Sequence, residues 1–82
     1  MTLADIKPAL GIFDDYHDAT LQPIFDSVYG FIRGAGVAES QITAGLVARG
    51  VNDMWDNDSG GKADFSPIFM MMLQQAQAGS RL

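Results

Sequence analysis

Few residues in this sequence are of a type and spacing that could do chemistry. Asp56, Asp58 and Gly61 fall at the first, third and sixth positions of a calcium-binding loop, where alternating carboxylates and a glycine bend wrap a cation in oxygen. The same frame puts Gly60 at the fifth position and Pro67 at the twelfth, so the closing bidentate Glu is missing. The stretch reads better as a solvated glycine turn. Gly60-Gly61-Lys62 ends like a phosphate loop, but lacks the first glycine, the Ser or Thr after the Lys, and a preceding strand. His17, the only histidine, stands beside Asp14, Asp15 and Asp18 and reads as a cap or surface residue rather than a general base. Ser27, Ser40, Ser59 and Ser66 all lie outside a nucleophile-elbow context. With no cysteine, disulfides, thiolate metal sites and cysteine nucleophiles are excluded. The sequence therefore predicts no catalytic residue, no metal site and no cofactor.

The composition points to a protein that meets other chains. A chain of 82 residues buries roughly 63% of its unfolded surface on folding, and domains this small usually need a staple. None is supplied by cysteine. Charged residues are 18% of the chain and apolar residues 48%, against about 25% charged in an ordinary domain. The net charge of −5 argues against a nucleic-acid-binding surface. The start, Met1 to Asp5, has no signal-peptide pattern, and the longest apolar run, Ile68 to Leu73, is far short of the ~20 residues that span a bilayer. Asn57-Asp58-Ser59 has the form of a glycosylation acceptor but reads as turn chemistry, and the protein is expected inside a cell.

Glycine and proline divide the chain into four helical segments, so the expected class is all-α: a small bundle of about four helices joined by Gly/Asp-rich loops, forming one domain over residues 1–82. Thr2 and Asp5 resemble a capping box over Leu3, Ile6 and Leu10; Pro8 leaves only the first turns secure, and Gly11 ends the segment. Leu21, Ile24, Phe25, Val28 and Ile32 form a continuous helical face that begins at Asp18 or Thr20 and stops at Gly34 and Gly36. The third helix runs from about Glu39-Ser40 to Met54-Trp55, with Ile42, Leu46, Val47, Val51 and Met54 facing inward. Gly45 and Gly50 each cost this helix about 1 kcal/mol relative to Ala, which predicts a close neighbour on the glycine side. Ser66 and Pro67 open the fourth helix, apolar nearly all round and expected to be buried on more than one side. Gln74 to Leu82 is expected to form a polar, frayed tail, with residues 75–82 flexible.

The order of these features resembles the small head–tail connector proteins of tailed bacteriophages, the adaptors that form a ring beneath the portal. A short Thr2-Leu3-Ala4-Asp5-Ile6-Lys7 helix precedes the Asp14-Asp15-Tyr16-His17-Asp18 turn. A helix ending at Gly34-Ala35-Gly36 follows, then one ending Val51-Asn52-Asp53-Met54-Trp55, and a glycine loop leads to Phe65-Ser66-Pro67-Ile68-Phe69. The resemblance covers nearly the whole chain, and Phe65-Ser66-Pro67-x-Phe69 is its most specific part. It implies a virion structural protein with no catalysis. Roughly twelve copies would form a ring, docked on the portal protein on one side and a stopper or tail-completion protein on the other. Packaged DNA would pass through the channel without specific binding, no membrane would be involved, and the protein would act at the head–tail interface after assembly in the host cytoplasm. The sequence departs from the family where Pro23 and Gly30 interrupt the second helix, and where Asp replaces the usual mixture of Glu and Lys. Acyl carrier proteins are also acidic four-helix domains of this length. Their arm-bearing Ser opens a mid-chain helix, however, whereas Asp58-Ser59 runs into Gly60-Gly61-Lys62. An acidic carrier and a generic helical interaction domain remain the alternatives.

Two residue sets follow from this reading. Trp55, Phe65, Pro67 and Phe69 are expected to hinge the fourth helix onto the body, and Met70, Met71 and Met72 to form an adaptable contact surface, with at least one reaching a neighbouring chain. Together they are the candidate subunit or partner interface. Asp53, Asp56, Asp58 and Asp64 are the candidate channel-facing acids, whose charge would keep passing DNA from sticking.

Overall fold

The structure is a computed structural model that describes residues 1–57 and 65–81. The described residues form an all-α bundle of four helices: α1 (Leu3–Leu10), α2 (Asp18–Gly34), α3 (Ala44–Asn57) and α4 (Pro67–Ser80), with a 3₁₀ turn, Glu39–Gln41, before α3. No strand occurs among the described residues. Among the described residues, no helix is long and apolar enough to cross a membrane.

The start of α1 is set by Thr2, whose backbone N–H donates to Asp5 Oδ2 at 2.7 Å and whose hydroxyl donates to the same oxygen at 3.2 Å. The helix does not stop at Pro8. It runs on to Leu10, because Gly11 adopts φ +74° and closes it in a Schellman arrangement, Ile12 N–H donating to Lys7 O at 3.0 Å. In α2 neither expected cap applies. His17 stands at the N-cap position and its carbonyl accepts the Thr20 and Leu21 amides, while the Asp18 carboxylate is taken by Lys7 Nζ at 2.7 Å. The third helix also starts later than its composition suggests. Glu39–Gln41 is a separate turn, Ile42 is extended and buried, and Thr43 Oγ1 accepts the Leu46 amide at 3.1 Å to begin α3.

The core is built from the inward faces of all four helices. Leu21, Phe25, Val28 and Ile32 of α2 meet Leu46, Val47, Ala48 and Val51 of α3, with Leu3 and Ile6 of α1 at one end and Phe69 and Leu73 of α4 at the other. Each such side chain contributes roughly 1.5–3 kcal/mol when fully buried. At the centre α3 presents Gly50 to both neighbours. A Cβ built there would lie 2.6 Å from Phe69 Cε1 and 2.7 Å from Val28 Cγ1, two groups that are themselves fully buried. Gly45, by contrast, has open space around it. Only one of the two helix glycines therefore owes its place to a neighbour within the chain.

The fourth helix departs most from expectation. Instead of fraying after Gln74 it continues to Ser80 and is tied down by its polar residues. Gln77 Nε2 donates to Ala35 O at 2.8 Å, and Ser80 Oγ accepts the Ala38 amide at 2.8 Å. The helix buries one face only, that of Phe69 and Leu73, and leaves Ile68 and Met71 at 56% and 60% exposure.

Two predictions follow from these placements. Gly50→Ala gains about 1 kcal/mol of helix propensity but overpacks rigid neighbours at a cost of about 1–3 kcal/mol, so it lowers stability, whereas Gly45→Ala raises it. Urea unfolding of both variants at one low chain concentration should show the opposite signs. The Thr2 backbone N–H holds the Asp5 carboxyl below its ordinary value of 3.8. Its stabilisation is thus present above that pH and is lost as pH falls through the lower folded value. The acid limb of the wild-type stability curve should lose this contribution, and Asp5→Asn should be flatter there.

Candidate functional site

The junction between α3 and α4 gathers most of the singled-out residues, and it is organised by a carboxylate. Asp53, in the last turns of α3, is 8% exposed. Its Oδ2 accepts the Ser66 amide at 3.0 Å and the Ser66 hydroxyl at 2.8 Å. Ser66 Oγ in turn accepts the Phe69 amide at 3.2 Å, which is the N-cap of α4, with Pro67 at the first helical position. Arg49, one turn before Asp53, reaches Asp53 Oδ1 at 3.5 Å and Ser66 Oγ at 3.3 Å through Nε. A carboxylate near a helix C-terminus faces the unfavourable end of the dipole, and these partners offset that cost.

Asp53, grouped with the channel-facing acids, has its carboxylate engaged within the chain, where it fixes the start of α4. An aspartate that accepts two hydrogen bonds in a buried junction is part of the scaffold, since removing it would strand both donors. Asp58, Asp64 and the side chain of Asp56 lie outside the described residues, as do Gly60, Gly61, Lys62 and Ser59 of the loop motifs.

The aromatic residues expected to act together split into two groups. Phe65 stacks on Phe69 with centroids 4.3 Å apart, and Phe31 of α2 closes the cluster at 5.0 Å from Phe65. Phe31 gave no signal beyond its apolar character, and 43% exposure marks it as the outer edge of this cluster. Trp55 is not in it. Half-buried, it meets the His17 ring edge-on at 5.2 Å, and His17 meets Tyr16 at 4.8 Å, so Trp55 braces the α1–α2 loop rather than α4. Pro67 is exposed and acts through its fixed φ, not through packing. Of the methionines, Met72 packs against the core while Met70 and Met71 face outward.

Grooves flank α3 and α4 on the described surface. One, of about 330 Å³, lies between α1 and α3 and is lined by Ala9, Leu10, Gly45, Ala48, Arg49 and Asn52. Another, of about 230 Å³, runs beside α4 past Gln41, Leu46, Met72 and Gln75. Among the described residues, no three His, Asp or Glu side chains gather as a metal ion would require.

The Asp53–Ser66 contact is open to a direct test. The Arg49 pair is half open to water and worth only about 0.3–0.5 kcal/mol, so the hydrogen bonds decide. Asp53→Ala should cost about 1–3 kcal/mol for the stranded donors, and Ser66→Ala about 1 kcal/mol for the lost cap. A double-mutant cycle should then show coupling of at least about 0.5 kcal/mol. Simple additivity would mean that the two side chains do not act as a unit. Compared with known proteins, the chain matches no family model, no curated protein and no solved structure.

Proposed function

We propose that this chain is a non-catalytic assembly subunit of the kind that head–tail connectors supply: a ring-forming adaptor between a portal and the stopper or tail, acting in a virion after assembly in the host cytoplasm. The observation that carries the reading is the outer face of α4. From Pro67 to Ser80 the helix has no ionisable side chain, and Ile68, Met70 and Met71 stand exposed along it. In a chain of net charge −5, this is a surface that a second copy can approach without meeting like charge. Unbranched methionines also adapt to irregular partners. Because its two ends are fixed by Asp53–Ser66 and by Gln77 and Ser80, the helix offers that face already ordered, which lowers the entropy lost on association.

The resemblance in feature order supplies the kind of assembly. A closed ring needs two different faces on each subunit, and a subunit short of charge and stapled by its neighbours fits that arrangement. Passing DNA is held off such a ring by the acidic balance rather than bound by it.

Native mass spectrometry and negative-stain images of the purified chain test this together. The expected result is a closed ring that copurifies with a portal protein. The paired substitutions Ile68→Asp and Met71→Lys, both at exposed positions, should return the chain to a monomer that keeps its helical circular-dichroism signal, with the unfolding midpoint lowered by the stabilisation that association supplied. A monomeric wild-type chain that gains a phosphopantetheine mass on treatment with a transferase would make it a carrier protein instead.

A further inference from the structure

The loop between α1 and α2 presents two aromatic rings to solvent. Phe13 is 86% exposed and Tyr16 83%. These two rings are far more exposed than the chain's other aromatics, of which Phe31 at 43% is the most open, and aromatic residues of this kind are those that dominate binding energy at interfaces. The loop is also held in shape. Tyr16 N–H donates to Asp14 Oδ1 at 3.2 Å, Asp18 N–H donates to Asp15 O at 3.2 Å, and the Tyr16 ring leans on His17, which leans on Trp55. Asp14 and Asp15 flank the rings, and neither carboxylate meets a cation among the described residues.

The groove between α1 and α3 has the complementary character. Its lining combines the small or apolar Ala9, Leu10, Gly45 and Ala48 with the polar Arg49 and Asn52. At about 330 Å³ it is roomier than the ~150 Å³ cavity that accommodates a benzene ring. Gly45, which nothing inside the chain explains, keeps this groove open. A guanidinium carries five N–H donors, more than Arg49 spends on Asp53 and Ser66. The groove and α4 meet α3 on adjoining sides that share Arg49: residues 45, 48, 49 and 52 line the groove, whereas Gly50 and Asp53 serve α4 and Arg49 also reaches Ser66. Phe13 does not fill the groove of its own chain.

We infer that the Phe13–Tyr16 loop of one copy plugs the α1–α3 groove of a second copy, with Phe13 against Leu10, Gly45 and Ala48, and Asp14 and Asp15 facing Arg49. Loop and groove are different surfaces, so the contact is head-to-tail and each copy can both give and receive a plug. This deepens the assembly reading above and rests on it, while using a face distinct from α4.

The absence of cysteine gives a clean test. One chain carrying Asp14→Cys and another carrying Ala9→Cys, both exposed positions, are mixed and joined with a short bismaleimide. The expected product is the mixed 14–9 heterodimer, in large excess over 14–14 and 9–9 pairs. Adding Phe13→Ala to the first chain should lower its yield about tenfold, as for a central interface aromatic. Filling the groove with Gly45→Leu on the second chain should do the same while the monomer stays folded. A statistical mixture of the three pairs from a chain that still forms its oligomer overturns the plug and leaves the assembly reading standing. No oligomer and no crosslink overturn both.

Discussion

The approach of three helices at Gly50 sets the geometry of everything around it. α2 and α4 can lie against the same stretch of α3 only because position 50 has no Cβ, and the Val28 methyl and the Phe69 ring occupy the space that one would take. Glycine in a helix interior is unfavourable by about 1 kcal/mol relative to alanine, so the fold accepts a local weakness in α3 in exchange for burying Phe69 completely. Phe69 then anchors Phe65 and Phe31, and with them the beginning of α4.

Once α4 is seated there, its ends are fixed by polar contacts rather than by further apolar burial. Asp53 holds Ser66 at one end, and Gln77 and Ser80 reach the backbone around Ala35 and Ala38 at the other. That division of labour leaves the outer side of the helix without a task inside the chain. A small domain cannot bury every apolar residue it carries, and here most of the surplus lies on Ile68, Met70 and Met71 of α4 and on the α1–α2 loop, with Phe31 beside the start of α4 and Met1 apart from both. Concentration on two surfaces distinguishes this from the scattered apolar exposure of an ordinary monomer.

How much of this could be read in advance depended on whether the cause was local. The three- and four-residue spacing of Leu21, Phe25, Val28 and Ile32 is a property of one helix, and the Ser66-Pro67 start and Gly11 stop are chemistry within a turn. All three stand in the structure as the sequence implies. Gly45 and Gly50 carry the same local penalty, and only the tertiary neighbours separate them. Asp53 looked like one more solvated acid, because the group that needs it, Ser66, is thirteen residues away across a loop. The polar composition after Gln74 suggested a loose end for a similar reason: Gln77 and Ser80 find their acceptor and donor in the segment that follows α2. At the candidate interface the sequence groups Met70, Met71 and Met72 together, and only the packing separates the exposed Met70 and Met71 from Met72; it likewise groups Trp55 with the phenylalanines although its ring contact is with His17.

A connector-like subunit must complete itself with copies of itself. Sedimentation velocity of the unmodified protein over a hundredfold range of concentration tests this most directly. The prediction is one discrete species many times the 8.8 kDa chain mass, growing at the expense of monomer with no ladder of intermediates, as a closed ring requires. A single boundary at the monomer mass across the whole range would contradict it.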